Sequence, residues 1–432
     1  MNGRNITFRA AGVLLALLLV FTGLRFGRAD EAVTVPDGYD EHDYMVAASF
    51  LEQRDADGVS NGKKLNDAYD PNDPETWVYE SPFWGSTYNF AGWTEVEPKR
   101  LTQLHLEGIP CVGAFSAVDC PELRTVNFND TLVSSAEFSG CEKLKNVLIS
   151  ESMLEDFSAV GCEAVTSIDL RGNRIESISL SNYPKLYYLN LNDNRLSVFE
   201  AEDCPLLRDL RLANNLLTGL DLSEFEELRE LNVNGNRLTE LDVSSNPRLI
   251  FVAACDNRFT ELDFSGTAMR TQSVKAFGPG VVGYEAYFYE DVSETPKTHF
   301  VHAEPLEGYR FAGWFNENGR LISEEADFGG YYISGYFDVD GELQFVTIPD
   351  PLTETGETRF IARFVPEDAD FLLGDCDGSG SVTAVDALLL LRCVSGLAEP
   401  WEELLINCDI NANGTLDSVD ALMILRLAMG LY

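Results

Sequence analysis

The chain has 432 residues, too many for one ordinary domain. With 45% hydrophobic and 24% charged residues it is globular rather than disordered. Lys and Arg total 31 against 71 Asp and Glu, a formal charge of -40 that repels phosphate backbones and anionic lipid, so nucleic acid is a poor partner.

At the N-terminus Arg4 and Arg9 precede an apolar run from Ala10 to Leu24, followed by the small residues Gly27 and Ala29. This is the pattern of a secretory signal peptide, here residues 1–29, and the run falls short of the roughly 20 apolar residues of a membrane helix. No second apolar span follows, so the mature chain is expected to be secreted, extracellular and without membrane insertion. The nine cysteines are an odd number, so their placement decides what they do.

Residues 30–99 contain a helix-forming stretch from Asp40, "DEHDYMVAASFLEQ", continue through an Asp/Asn/Pro-rich loop and bring Trp84 and Trp93 up to the first repeat. From 100 to 270 the chain repeats. Leu123, Leu144, Val165, Leu186, Leu207, Leu228 and Leu249 stand 21 residues apart, in units of the form LxxLxLxxNxL. The leucines point inward, and LxL alternation gives each coil a short parallel strand. Asn173, Asn194, Asn215, Asn236 and Asn257 form a column whose buried amides are expected to bond free backbone groups. The two preceding units carry Thr131 and Ser152 there, so that end should be less regular. Cys120, Cys141, Cys162 and Cys204 share another phase, with Tyr183 and Phe225 in sister coils. Their parallel Cβ vectors, stacked at about 4.8 Å, suit a ladder of free thiols better than disulfides. The unit is the signature of a leucine-rich repeat solenoid, and the stretch before it resembles the N-terminal cap of exported bacterial leucine-rich repeat proteins.

The concave strand surface is the useful face of such a solenoid. Among its outward residues Tyr188, with Arg171 and Arg211, forms the patch expected to bind a protein or polysaccharide, because aromatic and arginine side chains carry much of the energy at interfaces. An ordinary solvated polar face is the plain alternative.

Residues 271–366 lose the period. Alternating aromatic runs, an "NENG" turn, a "DVDGELQFV" hairpin and a closing "TRFIARFV" predict a mainly antiparallel β module. "GYRFAGWFNENGRLIS" with "RFIARF" resembles the internalin-type B repeat, which implies a β-grasp-like fold. His299 and His302, three apart on a strand, point to opposite faces and read as structural. Trp314 reads as core.

After a linker at 367–371, residues 372–432 contain a loop and helix twice, with the second copy 34 positions on. Loop one offers Asp375, Asp377, Ser379, the Ser381 backbone, Thr383 and Asp386. Loop two offers Asp409, Asn411, Asn413, the Thr415 backbone, Asp417 and Asp420. These occupy positions 1, 3, 5, 7, 9 and 12 of an EF-hand-type loop, with Gly380 and Gly414 at the turn, and predict two Ca2+ ions. Cys376 stands where the second loop has Ile410 and reads as an apolar packing residue, with a bridge among Cys376, Cys393 and Cys408 left open. No regular helix enters the first loop. The loop-helix duplication resembles the dockerin module, an all-α calcium-binding domain whose partner is a cohesin domain of a cellulosome scaffold. By that resemblance the partner would be read by Ala384, Val385, Leu391 and Arg392 in one half, and by Ser418, Val419, Leu425 and Arg426 in the other. Leu391 and Leu425 stand where many members have lysine.

The fold class expected is therefore an α/β leucine-rich repeat solenoid, a small β-grasp-like domain and a dockerin. No catalytic residues are assigned. The chain reads as a non-catalytic secreted component of a cellulosome-like complex, linked to polysaccharide catabolism by resemblance. A bacterial surface adhesin or host-interaction protein is the alternative, and a glycoside hydrolase a more remote one.

Overall fold

One solenoid coil closes every 21 residues because three apolar positions per unit have nowhere else to go. Leu207, Leu210 and Leu212 of one coil are fully buried, as are Leu186, Leu189 and Leu191 of the coil before it. Each such side chain contributes about 1.5–3 kcal/mol on burial. In this computed structural model residues 33–288, 297–330, 335–337, 343–345, 355–399 and 406–431 are described. The expected signal peptide and the turn of the "DVDGELQFV" hairpin lie outside them, although the flanking strands Gly335–Phe337 and Leu343–Phe345 do pair antiparallel.

The coils contribute parallel strands, from Leu101–Glu107 through Thr125–Asn129, Tyr188–Asn190 and Asp209–Arg211 to Phe251–Ala253, in a 12-stranded sheet. From Thr125 onward each residue pairs with the one 21 later, as in Tyr188 with Asp209 and Asp209 with Glu230. One edge is covered by the antiparallel strand Ala91–Trp93. Behind it the helix Glu41–Leu51 packs Tyr44 and Phe50 onto Trp77, Phe90, Phe115 and Phe128, and this aromatic plug keeps the first coil dry. Trp93 joins the plug, whereas Trp84 is exposed.

The asparagine column is buried as expected from Asn173 to Asn236, and Asn257 at its end is half-buried. Asn215 Nδ2 donates to the carbonyls of Leu191, Leu212 and Ala213 at 2.9, 3.0 and 3.1 Å, and its Oδ1 accepts from the Leu196 amide at 2.9 Å. Thr131 and Ser152 reach the Phe128 carbonyl and bond each other, so the column continues in hydroxyls. The cysteine column proves to be a second ladder of donors. Cys141 Sγ donates to the Ala117 carbonyl, Cys162 Sγ to that of Phe138 and Tyr183 Oη to that of Ala159, each 24 residues back. Cys111, Cys120, Cys141, Cys162, Cys204 and Cys255 are all free and buried. The Cys120 thiol and burial push Cys141 up to about 12, and burial pushes Cys204 up to about 11, so both stay protonated.

A further column carries left-handed backbone. Asp130, Glu151, Gly172, Asp193, Asn214, Gly235 and Asp256 recur every 21 residues at positive φ. Gly172 is also crowded, since a Cβ there would lie 2.5 Å from the Glu151 carboxylate.

Beyond the last coil the two architectures interlock. Gly280–Phe288 pairs antiparallel with Phe251–Ala253, so the solenoid sheet continues into the following module through Lys297–Pro305 and Phe328–Gly330. In return Glu261–Asp263 belongs to the module's own five-stranded sheet, next to Ser273–Phe277. That sheet departs from the antiparallel expectation at one pair, because Ser273–Phe277 runs parallel to Arg359–Pro366. Trp314 is fully buried and donates to the Ala326 carbonyl.

Asn215→Ala is expected to cost about 3 kcal/mol, since it leaves several buried backbone groups without partners. A fall in the urea midpoint with an unchanged slope would report it.

Candidate metal centre and docking surface

Each acidic loop runs into an 11-residue helix, Ala384–Val394 or Ser418–Ala428, and one aspartate shapes both parts. Asp386 caps its helix through the Thr383 amide and hydroxyl at 2.8 and 2.9 Å, while its other oxygen accepts from the amides of Cys376 and Asp377. Asp420 does the same with the amides of Asp417, Ile410 and Asn411. At the loop entrance Asp375 accepts from Ser379 and Gly380, and Asp409 from Asn413 and Gly414. Gly380 and Gly414 hold φ of +80° and +81°, the turn that wraps the loop round its carboxylates.

Carboxylate oxygens of Asp375, Asp377 and Asp386 lie within 4.8 Å of one another. Asp386, Asp409 and Asp420 are fully buried and Asp375 nearly so. Burial pushes the Asp409 and Asp420 carboxyls upward from the ordinary value, and Asp409 adds to the rise at Asp420. Like charges this close and this dry need a cation, and an all-oxygen donor set suits a hard one such as calcium. Loop one therefore fits calcium, and loop two repeats its frame with Asp409 and Asp420. Bound there, it would supply the charge that lets these carboxylates stay ionised while their backbone contacts hold the helix start.

Behind the loops a small core contains Leu373, Ala387, Leu390, Ile410, Ala421 and Ile424. Cys376 is not the simple packing residue expected. It forms a disulfide with Cys408, at a Cα separation of 5.9 Å, tying the second residue of loop one to the residue just before loop two. The bridge spans 32 residues, enough to contribute about 3–4 kcal/mol by restricting the unfolded chain. Cys393 is free and half-buried. Sequence could not select this pairing because it depends on the two loops lying side by side.

Ala384, Val385, Leu391 and Arg392 are exposed on the first helix, and Ser418, Val419 and Arg426 on the second, while Leu425 is half-buried against the core. The structure adds two residues that sequence reasoning missed. Leu388 and Leu422 are 58% and 50% exposed. They complete apolar rows with Val385 and Leu391, and with Val419 and Leu425, at helical spacing that could have flagged them.

On the concave sheet Arg211 lies over the Tyr188 ring at 5.2 Å and grips Asp209 with two hydrogen bonds, at 3.0 and 2.7 Å. Arg171 instead turns to Asp169 and Glu151, both at 4.0 Å. Two of the three expected residues are thus brought together, and both arginines already have acidic partners. The same face ends in a cavity of about 380 Å³ lined by Cys255, Asp256, Glu285, Phe300, His302 and Asp327. His302 pairs there with Asp327, as a structural histidine does. These residues come from distant segments, so no local pattern announced the cavity.

Residues 373–427 match the Dockerin type I domain family and form such a domain, a calcium-binding kind. No curated protein matches the chain. Among solved structures it is similar to "Plant peptide hormone receptor RGFR1 in complex with RGF2", at 17% identity and TM-score 0.26, over 37% of this chain and 33% of that one. It is also similar to the "LRIM1/APL1C complex", at 15% identity and TM-score 0.26, over 35% and 38%. A third is the "Functional domain of InlJ from Listeria monocytogenes includes a cysteine ladder", at 15% identity and TM-score 0.25, over 62% and 67%. The chain thus spans 33% and 38% of the first two. At these TM-scores the likenesses carry no argument, and the solenoid rests on the 21-residue register itself.

Thiol titration without reductant is expected to count seven thiols in denaturant and about one, Cys393, in the native chain. Nine in denaturant would mean that the Cys376–Cys408 bridge is absent.

Proposed function

We propose that this chain is an exported, non-catalytic component of a cellulosome-like assembly, released from a signal peptide at residues 1–29. Its C-terminal module docks onto a scaffold cohesin, and the solenoid presents its concave face to a protein or polysaccharide. One observation carries the reading: a type I dockerin domain with exposed apolar residues on both helices, Val385, Leu388 and Leu391 on one and Val419 and Leu422 on the other. Neither a dockerin nor a leucine-rich repeat is a catalytic kind of domain. No helix among the described residues is long and apolar enough to cross a membrane.

In this reading each loop holds one calcium ion, with Asp375, Asp377, Ser379, Ser381, Thr383 and Asp386 as the first donor set. Asp409, Asn411, Asn413, Thr415, Asp417 and Asp420 are the second. Binding orders each loop and so fixes the helix that follows it, which couples cohesin recognition to calcium. The cohesin would read Ala384, Val385, Leu391 and Arg392, or their counterparts Ser418, Val419, Leu425 and Arg426, and the likeness of the halves permits docking in either of two orientations. Tyr188 with Arg211 is the patch proposed for the solenoid's ligand, Arg171 flanking it. Service in polysaccharide catabolism follows from the company dockerins keep.

Calorimetry is expected to find two calcium ions per chain, and one in either Asp386→Ala or Asp420→Ala. A pull-down against a cohesin panel should capture the full chain with calcium and lose it with EDTA; no capture by any cohesin would sink the reading. Charged substitutions at Ala384 and Val385 alone, or at Ser418 and Val419 alone, should leave binding intact. The combination should abolish it, whereas loss from one pair alone would rule out the dual orientation.

A further inference from the structure

Among the described residues Arg363 is the one basic side chain that is buried, at 1% exposed. It belongs to the β module, on the strand Arg359–Pro366, yet its guanidinium reaches out of that sheet into the dockerin. One nitrogen donates to the Ile406 carbonyl at 3.3 Å, and the other donates to the carbonyls of Asp409 and Ile410, the latter at 2.9 Å. The group lies over the Phe277 ring at 4.7 Å and beside that of Phe315 at 5.7 Å. Nearby the module's turn at Gly319 presses on loop two so closely that a Cβ would sit 2.6 Å from Ile410 Cγ2.

A buried guanidinium is stable only where acceptors and opposite charge surround it. Burial pushes Arg363 down to about 10, with Asp409 and Asp420 opposing the shift, so it remains a cation at neutral pH. Asp409 and Ile410 are the first two residues of loop two. Their carbonyls are held by Arg363, while the Ile410 amide and the Asp409 carboxylate face the loop interior. The matching carbonyl of loop one, that of Asp375, receives only the neutral Asn407 side chain, at 3.2 Å.

We propose that Arg363 is a positioning residue for the second calcium loop, so that the β module and the dockerin load calcium as one unit. Calcium ordering the loop holds the carbonyls that keep Arg363 in place, and Arg363 in place favours the calcium-ready loop by the same factor. The inference rests on the reading that loop two binds calcium. Among the described residues loop one has no such support, which makes the two nearly equal halves unequal in their dependence on the rest of the chain.

The test is hydrogen exchange of the full chain across a calcium titration, following peptides over 375–386 and 409–420. In Arg363→Met the loop-two midpoint is expected to rise about tenfold, as it does when outer-shell support of a metal site is lost, with loop one moving by less than about twofold. Arg363→Lys, which keeps the charge but not the fork, should fall between. An unchanged loop-two midpoint would overturn the proposal, and so would a lowered one, which would make Arg363 a competitor of the ion. If Arg363→Met also strips protection from the strand Tyr309–Phe315, Gly319→Ala decides, because it disturbs Ile410 without touching Arg363. The same selective rise supports the coupling, and no rise overturns it. A wild-type chain in which neither loop responds to calcium removes the calcium reading and this proposal with it.

Discussion

Carbonyl groups that turn into a solenoid at its corners have no strand neighbour, and this chain answers many of them with a side-chain donor. Asn173, Asn194, Asn215 and Asn236 each reach a carbonyl 24 residues back, and at another corner Cys141, Cys162 and Tyr183 span the same interval. Amide, thiol and phenol do one job. A coil of another length would leave both ladders out of step, so the period of 21 is enforced by polar satisfaction as much as by leucine packing. Asn246 extends the pattern, donating to the Leu222 carbonyl in the phase where earlier coils place cysteine.

What was legible in the sequence was whatever is settled within one unit. Leucine spacing gave the coils, the asparagine column gave its own burial, and the paired loops gave their own ligand order. The turns at Asp130, Glu151, Gly172 and Asp193 escaped notice because left-handed backbone is shared there among aspartate, glutamate and glycine, which form no single-letter column. The bridge between Cys376 and Cys408, the cavity around His302 and the reach of Arg363 all join segments far apart in the chain. Spacing holds no record of such meetings. The shared sheets were hidden for the same reason: Gly280–Phe288 looks like an ordinary strand and reveals nothing of which edge it joins.

The charge of the chain also reads differently once the side chains are placed. Arg171 and Arg211, the cations of the expected ligand patch, are each already answered by the aspartate two residues before. A ligand for this face must therefore compete with Asp169 and Asp209 or bind the stacked Tyr188 and Arg211 as a ready-made platform. In the loops it is the aspartates that are answered, by backbone amides that set the loop's shape.

Residues 367–371, between the β module and the dockerin, do not hang loose. The Glu367 amide donates to the Gly308 carbonyl, Arg310 holds the Ala369 carbonyl at 3.0 Å, and Phe371 meets the Phe315 ring edge-on. The joint behaves as a bracket where a string would be expected. A component hung on a string sweeps a volume and meets its target by chance, whereas one on a bracket points. Whatever direction the dockerin takes on its scaffold is then handed on to the concave face, and two ways of docking would give that face two headings.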